Sequence, residues 1–201
     1  VGQEGRNRLM AVFFRRWVHM RNRSFIASFL CALAIFAVSA VVAFGTLDGA
    51  TRGGGGMLGK PLGSSGESLF ISILVRNTSV VLSLFAGVVS IGIIAMVGIA
   101  SLGFLIGAST AAAANEVGLT MALWSVSGYA IVEILAYLLA ATAGLLPVGT
   151  AVLTSGSLAE EKVVTRYFAP LRQSLVLLAV SLVLIVVGAG LEAAIIQSRN
   201  G

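Results

Sequence analysis

One cysteine (Cys31), one histidine (His19) and one aspartate (Asp48) are all that 201 residues provide of those three types. A lone thiol builds no disulfide framework, and with a single imidazole it makes no Cys/His metal site. Charge is scarce as well. Asp, Glu, Lys and Arg together make up 10% of the chain, against about 25% in soluble domains. Apolar and polar residues do not alternate over stretches long enough to signal strands. In place of all these stands hydrophobicity: 58% of residues are apolar and mean hydropathy is +1.02. Such a chain is an integral membrane protein, and its continuous apolar runs make it helical. The expected fold class is all-α, a polytopic membrane bundle of about five transmembrane helices forming one domain over 24–196.

Charge is unevenly placed. Six arginines (Arg6, Arg8, Arg15, Arg16, Arg21, Arg23) fall within residues 1–23, interleaved with Leu9, Met10, Val12, Phe13, Phe14, Trp17 and Val18. This composition predicts an amphipathic interfacial segment on the cytoplasmic side. Arg15, Arg16, Trp17, Arg21 and Arg23 would lie at the membrane surface. No nucleic-acid recognition motif accompanies the arginines. The apolar run at 24–44 is longer than a signal-peptide core of roughly 7–15 residues, so it is expected to be the first span.

Residues 45–68 form a glycine-rich loop, with Gly53 to Gly56 in succession, then Pro61 and Gly63 to Gly66. Gly59-Lys60 is no phosphate loop, because Pro61 stands where Ser or Thr is required. A short interfacial helix over 69–77 should precede the second span, ending at Arg76-Asn77. The uncharged 36 residues from 79 to 114 would make a single helix of about 54 Å, too long for a hydrocarbon core of about 30 Å. Two helices folded back near 97–99 are therefore expected. Ser79, Ser83 and Gly87, then Gly103, Gly107 and Ala111, recur every four residues as faces for close helix packing.

The next apolar run, 119–146, carries Glu133 near its middle. A charge there costs about 2.5–3.5 kcal/mol unless neutralised or paired. Tyr129 and Tyr137 fall one turn to either side, and Ala136, Ala140 and Gly144 share the stripe that a neighbouring helix could approach. Glu133 is expected to be protonated, or held by hydrogen bonds from a tyrosine or a facing helix. Pro147 and Gly149 should end this helix. Ser157 to Glu160 form a capping box opening a short helix over 158–169. Pro170 precedes the last span, 171–196, with Glu192 near its far end. With the amino terminus inside, nine basic residues face the cytoplasm and four face outward, which satisfies the positive-inside rule.

Taken in order, these features resemble the stage II sporulation protein M family over roughly 70–196. That family's Asn-Asn pair appears as Arg76-Asn77. Its Asn-Gly-x-x-x-Gly hairpin motif appears as Leu102-Gly103 followed by Gly107. Its His-Gly-x-x-Glu signature is reduced to Tyr129-Ala130 and Glu133, without the histidine, and its Ile-Glu-Ala motif becomes Leu191-Glu192-Ala193. The resemblance implies a multi-pass fold with a shared polar site at Asn77, Glu133 and Glu192. It also implies kinship with a membrane component of a septum-remodelling complex.

An enzyme is not expected. No histidine lies at membrane depth to act as a base, the single Asp sits in the loop, and Glu192 should lie nearer the interface than Glu133. Neither a cofactor nor a metal is expected. The leading expectation is a scaffold or assembly subunit of a cell-envelope complex in the plasma membrane. Its partners would be the lipid bilayer and other membrane proteins or further copies of the chain; a small-molecule substrate stays unknown. The alternative is an ion- or proton-coupled transporter or channel component using Glu133, because intramembrane carboxylates mark such pathways.

Overall fold

The computed structural model describes residues 3–47, 69–154 and 163–200. Among them every regular element is helical. These are α1 (Gln3–Leu47), α2 (Leu69–Phe85, continued by a 3₁₀ turn Ala86–Val88), α3 (Ile93–Val117), α4 (Leu119–Leu153), α5 (Val163–Phe168) and α6 (Leu171–Asn200). Five segments are long and apolar enough to cross a membrane: Asn22–Leu47, Leu69–Val88, Ile93–Val117, Ser127–Leu153 and Val163–Ser198. The polytopic all-α bundle is thus as the composition demands. The glycine-rich loop and the capping box at 157–160 lie outside the described residues.

Helix α4 is the hub. It packs against α1, α2, α3, α5 and α6, and its small side chains explain how one helix meets so many. Ala136, Ala140, Ala141, Thr142 and Ala143 are fully buried, with Tyr137, Leu138, Leu145 and Leu146 filling the space between them. Side chains this short let neighbouring backbones close in from several directions. Several hydroxyls inside the spans bond their own helices, while those of Ser28 and Ser174 are buried without a partner. Thr142 Oγ1 donates to the Leu138 carbonyl at 2.6 Å and Ser181 Oγ to the Leu177 carbonyl at 2.9 Å, so they present no unmet polar atom to lipid.

Four expected boundaries are different in the structure. The interfacial helix over 69–77 does not stand alone, because α2 runs through Arg76-Asn77 without interruption. The fold-back consequently falls at Val89 to Gly92 rather than at 97–99. There Ile91 and Gly92 take positive φ of 54° and 84°, and Ser90 Oγ accepts from the Ile94 amide at 3.0 Å to open α3. Glycine meets that φ at no steric cost. Pro147 does not end α4, which continues to Leu153 with the ring fully buried. Neighbouring helices tolerate the missing N–H inside a span. Lastly, α1 is continuous from the basic segment into the first span.

At the end of the bundle where α2 finishes, Tyr167 of α5 donates its hydroxyl to the Val88 carbonyl at 2.5 Å. That carbonyl closes the 3₁₀ turn and has no following helical turn to bond it. Tyr167→Phe should lower thermal stability by about 1 kcal/mol, the usual net worth of one such bond. A melt of the purified variant beside the wild type checks this.

Candidate functional site

Helices α2, α4 and α6 meet around Glu133. Asn77 lies within α2, Glu133 within α4, which begins at Leu119, and Glu192 within α6, which runs on to Asn200. Asn77 Nδ2 donates to Glu133 Oε1 at 2.7 Å, and Asn77 is buried. Glu192 of α6 stands near enough for its charge to act on Glu133.

Arg76, next to Asn77, is exposed but near enough for its charge to act on both glutamates and on Tyr137. Its long stem can carry the guanidinium toward the headgroups. The Tyr137 ring is 6% exposed and stands in the field of Glu133, Glu192 and Arg76. Tyr129, a turn before Glu133, is partly buried and makes a contact of its own. Of the expected polar residues, then, Asn77, Glu133, Tyr137 and Glu192 share one junction.

Sequence reasoning missed Gly188. A Cβ placed there would stand 2.8 Å from Glu133 Cγ, so the bare backbone of α6 is the floor on which the Glu133 side chain rests. Glu192 follows one turn later on the same face. The available signal was Gly188-Ala189-Gly190, a small-residue break in a Leu/Val-rich run just before the acid.

The small-residue positions form two further seams. Gly103 and Gly107 of α3 press on the α1 backbone, where added Cβ atoms would meet the carbonyl oxygens of Phe36 and Ala40, with Ala40 Cα at 2.9 Å. Gly87 and Gly144 face each other. A Cβ at Gly144 would lie 3.3 Å from Gly87 Cα and 3.0 Å from Ala95 Cβ. Ala136 and Ala140 are buried on the same helix as Gly144. Ser79 and Ser83, expected to share the Gly87 face, are exposed instead. At the membrane surface Arg23 is exposed; the side chains of Arg15, Arg16, Trp17 and Arg21 lie outside the described residues.

Compared with known protein families, residues 25–196 match Stage II sporulation protein M (SpoIIM). The chain belongs to the SpoIIM family. Comparison with curated proteins found no match, and comparison with solved structures found none either. In the geometry of this SpoIIM chain, three motif positions far apart in sequence converge. They are the second residue of the Asn-Asn position (Asn77), the acid of the His-Gly-x-x-Glu position (Glu133) and the acid of the Ile-Glu-Ala position (Glu192). The fourth motif, with Gly103 and Gly107, lies elsewhere and binds α3 to α1.

Proposed function

We propose that this SpoIIM protein is a non-enzymatic assembly subunit of a cell-envelope complex, a rigid membrane platform rather than a conduit. The observation that carries this reading is the Asn77–Glu133 bond at 2.7 Å. It puts helices of the chain itself over the carboxyl, with α6 packed beneath it at Gly188. Glu133 is thereby an internal tie that holds the platform in shape, and partners are met by the outer faces of the bundle. The non-enzymatic reading rests on the same packing, because the Glu133 side chain fills the space above Gly188 that a substrate would need.

A conduit reading draws on two acids, Glu133 and Glu192, acting on each other within the spans, since intramembrane carboxylates mark ion pathways. Glu133→Gln separates the two. The amide still accepts from Asn77, so a platform keeps its assembly, while a carboxyl that must release a proton fails. The expected result is unchanged co-purification of native neighbours, and no difference in proton or alkali-ion flux between wild-type and Glu133→Gln proteoliposomes. Flux present in the wild type and abolished in Glu133→Gln would overturn the proposal.

Plasma-membrane residence with the amino terminus cytoplasmic belongs to the same proposal. It is supported by the nine basic residues assigned inside against four outside. The polar junction would then lie in the outer half of the bilayer. With Cys31 replaced by serine, Ser64→Cys should react with an impermeant thiol reagent added to intact cells, and Ser157→Cys should not. The reverse pattern would invert the orientation.

A further inference from the structure

The outer face of α2 is unlike a surface made for lipid. Ser72, Arg76, Ser79 and Ser83 are all exposed, and their spacing of four, three and four residues sets them in one line along the helix. The outward faces of α3 and α6 carry bulky apolar side chains instead, such as Val97 and Phe104 or Val176 and Val183. Ser79 and Ser83 turn their hydroxyls back on their own helix, to the carbonyls of Val75 and Ser79 at 2.8 Å each. What these two serines offer outward is a low surface that another helix backbone can approach. Arg76 is a separate observation. It lies within the spanning segment Leu69–Val88, is exposed, and its side chain makes no hydrogen bond or ion pair among the described residues. The bond that Glu133 accepts from α2 comes from Asn77 instead. A guanidinium carries five N–H donors, and charged groups within spans are paired or face protein or water rather than bare lipid. Drawing the stem toward the headgroups serves Arg76 alone and leaves the serines on its line unexplained.

We propose that this line on α2 is the docking face for one transmembrane helix of a different membrane protein, a helix that carries an Asp or Glu level with Arg76. Such a carboxylate takes two N–H donors of the guanidinium at once, and the serines let the two backbones close on either side of that pair. A second copy of this chain is the poorer occupant. Copies in one membrane share an orientation, so a twofold contact along this line sets Arg76 against Arg76. Two like charges facing each other inside a span are costlier than one. The proposal rests on the assembly reading and specifies which outer face of the bundle meets the partner.

A photo-crosslinking side chain introduced at Ser83, in the full chain within its native membranes, tests this face. The same group at Val97 of α3 and Val183 of α6, both exposed, gives the comparison. Sequencing the cross-linked peptides names what lies over each face. Ser83 should capture a transmembrane peptide of another protein, and that peptide should contain Asp or Glu. The yield should fall at least about tenfold in Arg76→Leu, the effect of losing one charge-assisted bond. It should be largely kept in Arg76→Lys, which retains the charge. Peptide composition and the Arg76→Lys yield decide the question even where Arg76→Leu accumulates poorly. A peptide without an acid, a peptide of this chain itself, capture of lipid alone, or a yield unchanged in Arg76→Leu overturns the docking face. The comparison positions separate this proposal from the assembly reading. Protein captured at Val97 or Val183 with only lipid at Ser83 overturns the α2 face and leaves the assembly reading standing, whereas lipid at all three positions counts against both.

Discussion

Gly107→Leu and Gly103→Leu should each prevent a stable bundle from forming, whereas Leu105→Ile between them should have no measurable effect. At both glycines even the first added carbon meets a carbonyl oxygen of α1. Backbone cannot step aside as a flexible side chain can, so α1 must move away as a unit and its packing on α3 and α4 is lost. Overpacking typically costs about 1–3 kcal/mol where side chains can adjust. Without that relief, about 3 kcal/mol or more is expected from each glycine variant. Leu105 is 60% exposed, facing lipid, where a change of branching alters no protein contact. Thermal melts and size-exclusion profiles of the three variants check this. Wild-type melting of either glycine variant would mean that α1 does not sit on α3 as described.

Glu133→Leu should destabilise the bundle by about 1–2 kcal/mol, and Glu133→Gln by less than about 0.5. Leucine leaves the buried Asn77 amide without its acceptor, and a stranded polar group costs about 1–3 kcal/mol. Polar contacts between membrane helices average only about 0.6 kcal/mol, because chains unfolded within the membrane also find partners. That pulls the expected loss toward the low end. Glutamine retains an acceptor for Asn77. Combining Asn77→Leu with Glu133→Leu should recover part of the loss, since neither side chain is then left unpaired. Additive losses in the double variant would show that the two residues do not interact.

Much of this architecture was legible because membranes constrain sequence severely. A span must be long and apolar, so five of them could be counted, and a carboxyl inside a span must be answered by something polar. That logic singled out Glu133, and the family resemblance supplied Asn77 and Glu192. It misplaced α2 because Arg76-Asn77 reads as an interruption when taken alone. In the fold, Asn77 is paired with Glu133 and Arg76 is exposed, so the helix passes straight through. Starting α2 too late pushed the expected fold-back several residues past Gly92. Pro147 misled for a related reason, since its missing N–H is tolerated in a helix enclosed by others. Gly188 was invisible as a site residue: its role is to be absent from the space that Glu133 fills, and only the α4–α6 packing reveals that space.

On the proposed reading, this SpoIIM chain is a platform tied internally at Glu133 and joined to other proteins through its outer faces. Imaging the chain extracted from native membranes with its neighbours, in nanodiscs and without detergent exchange, tests it most directly. The expected result is density for at least one further protein helix against the outside of the bundle, with α2 and α6 closed over Glu133. A solitary bundle with a water-filled path reaching Glu133 from either face would contradict it.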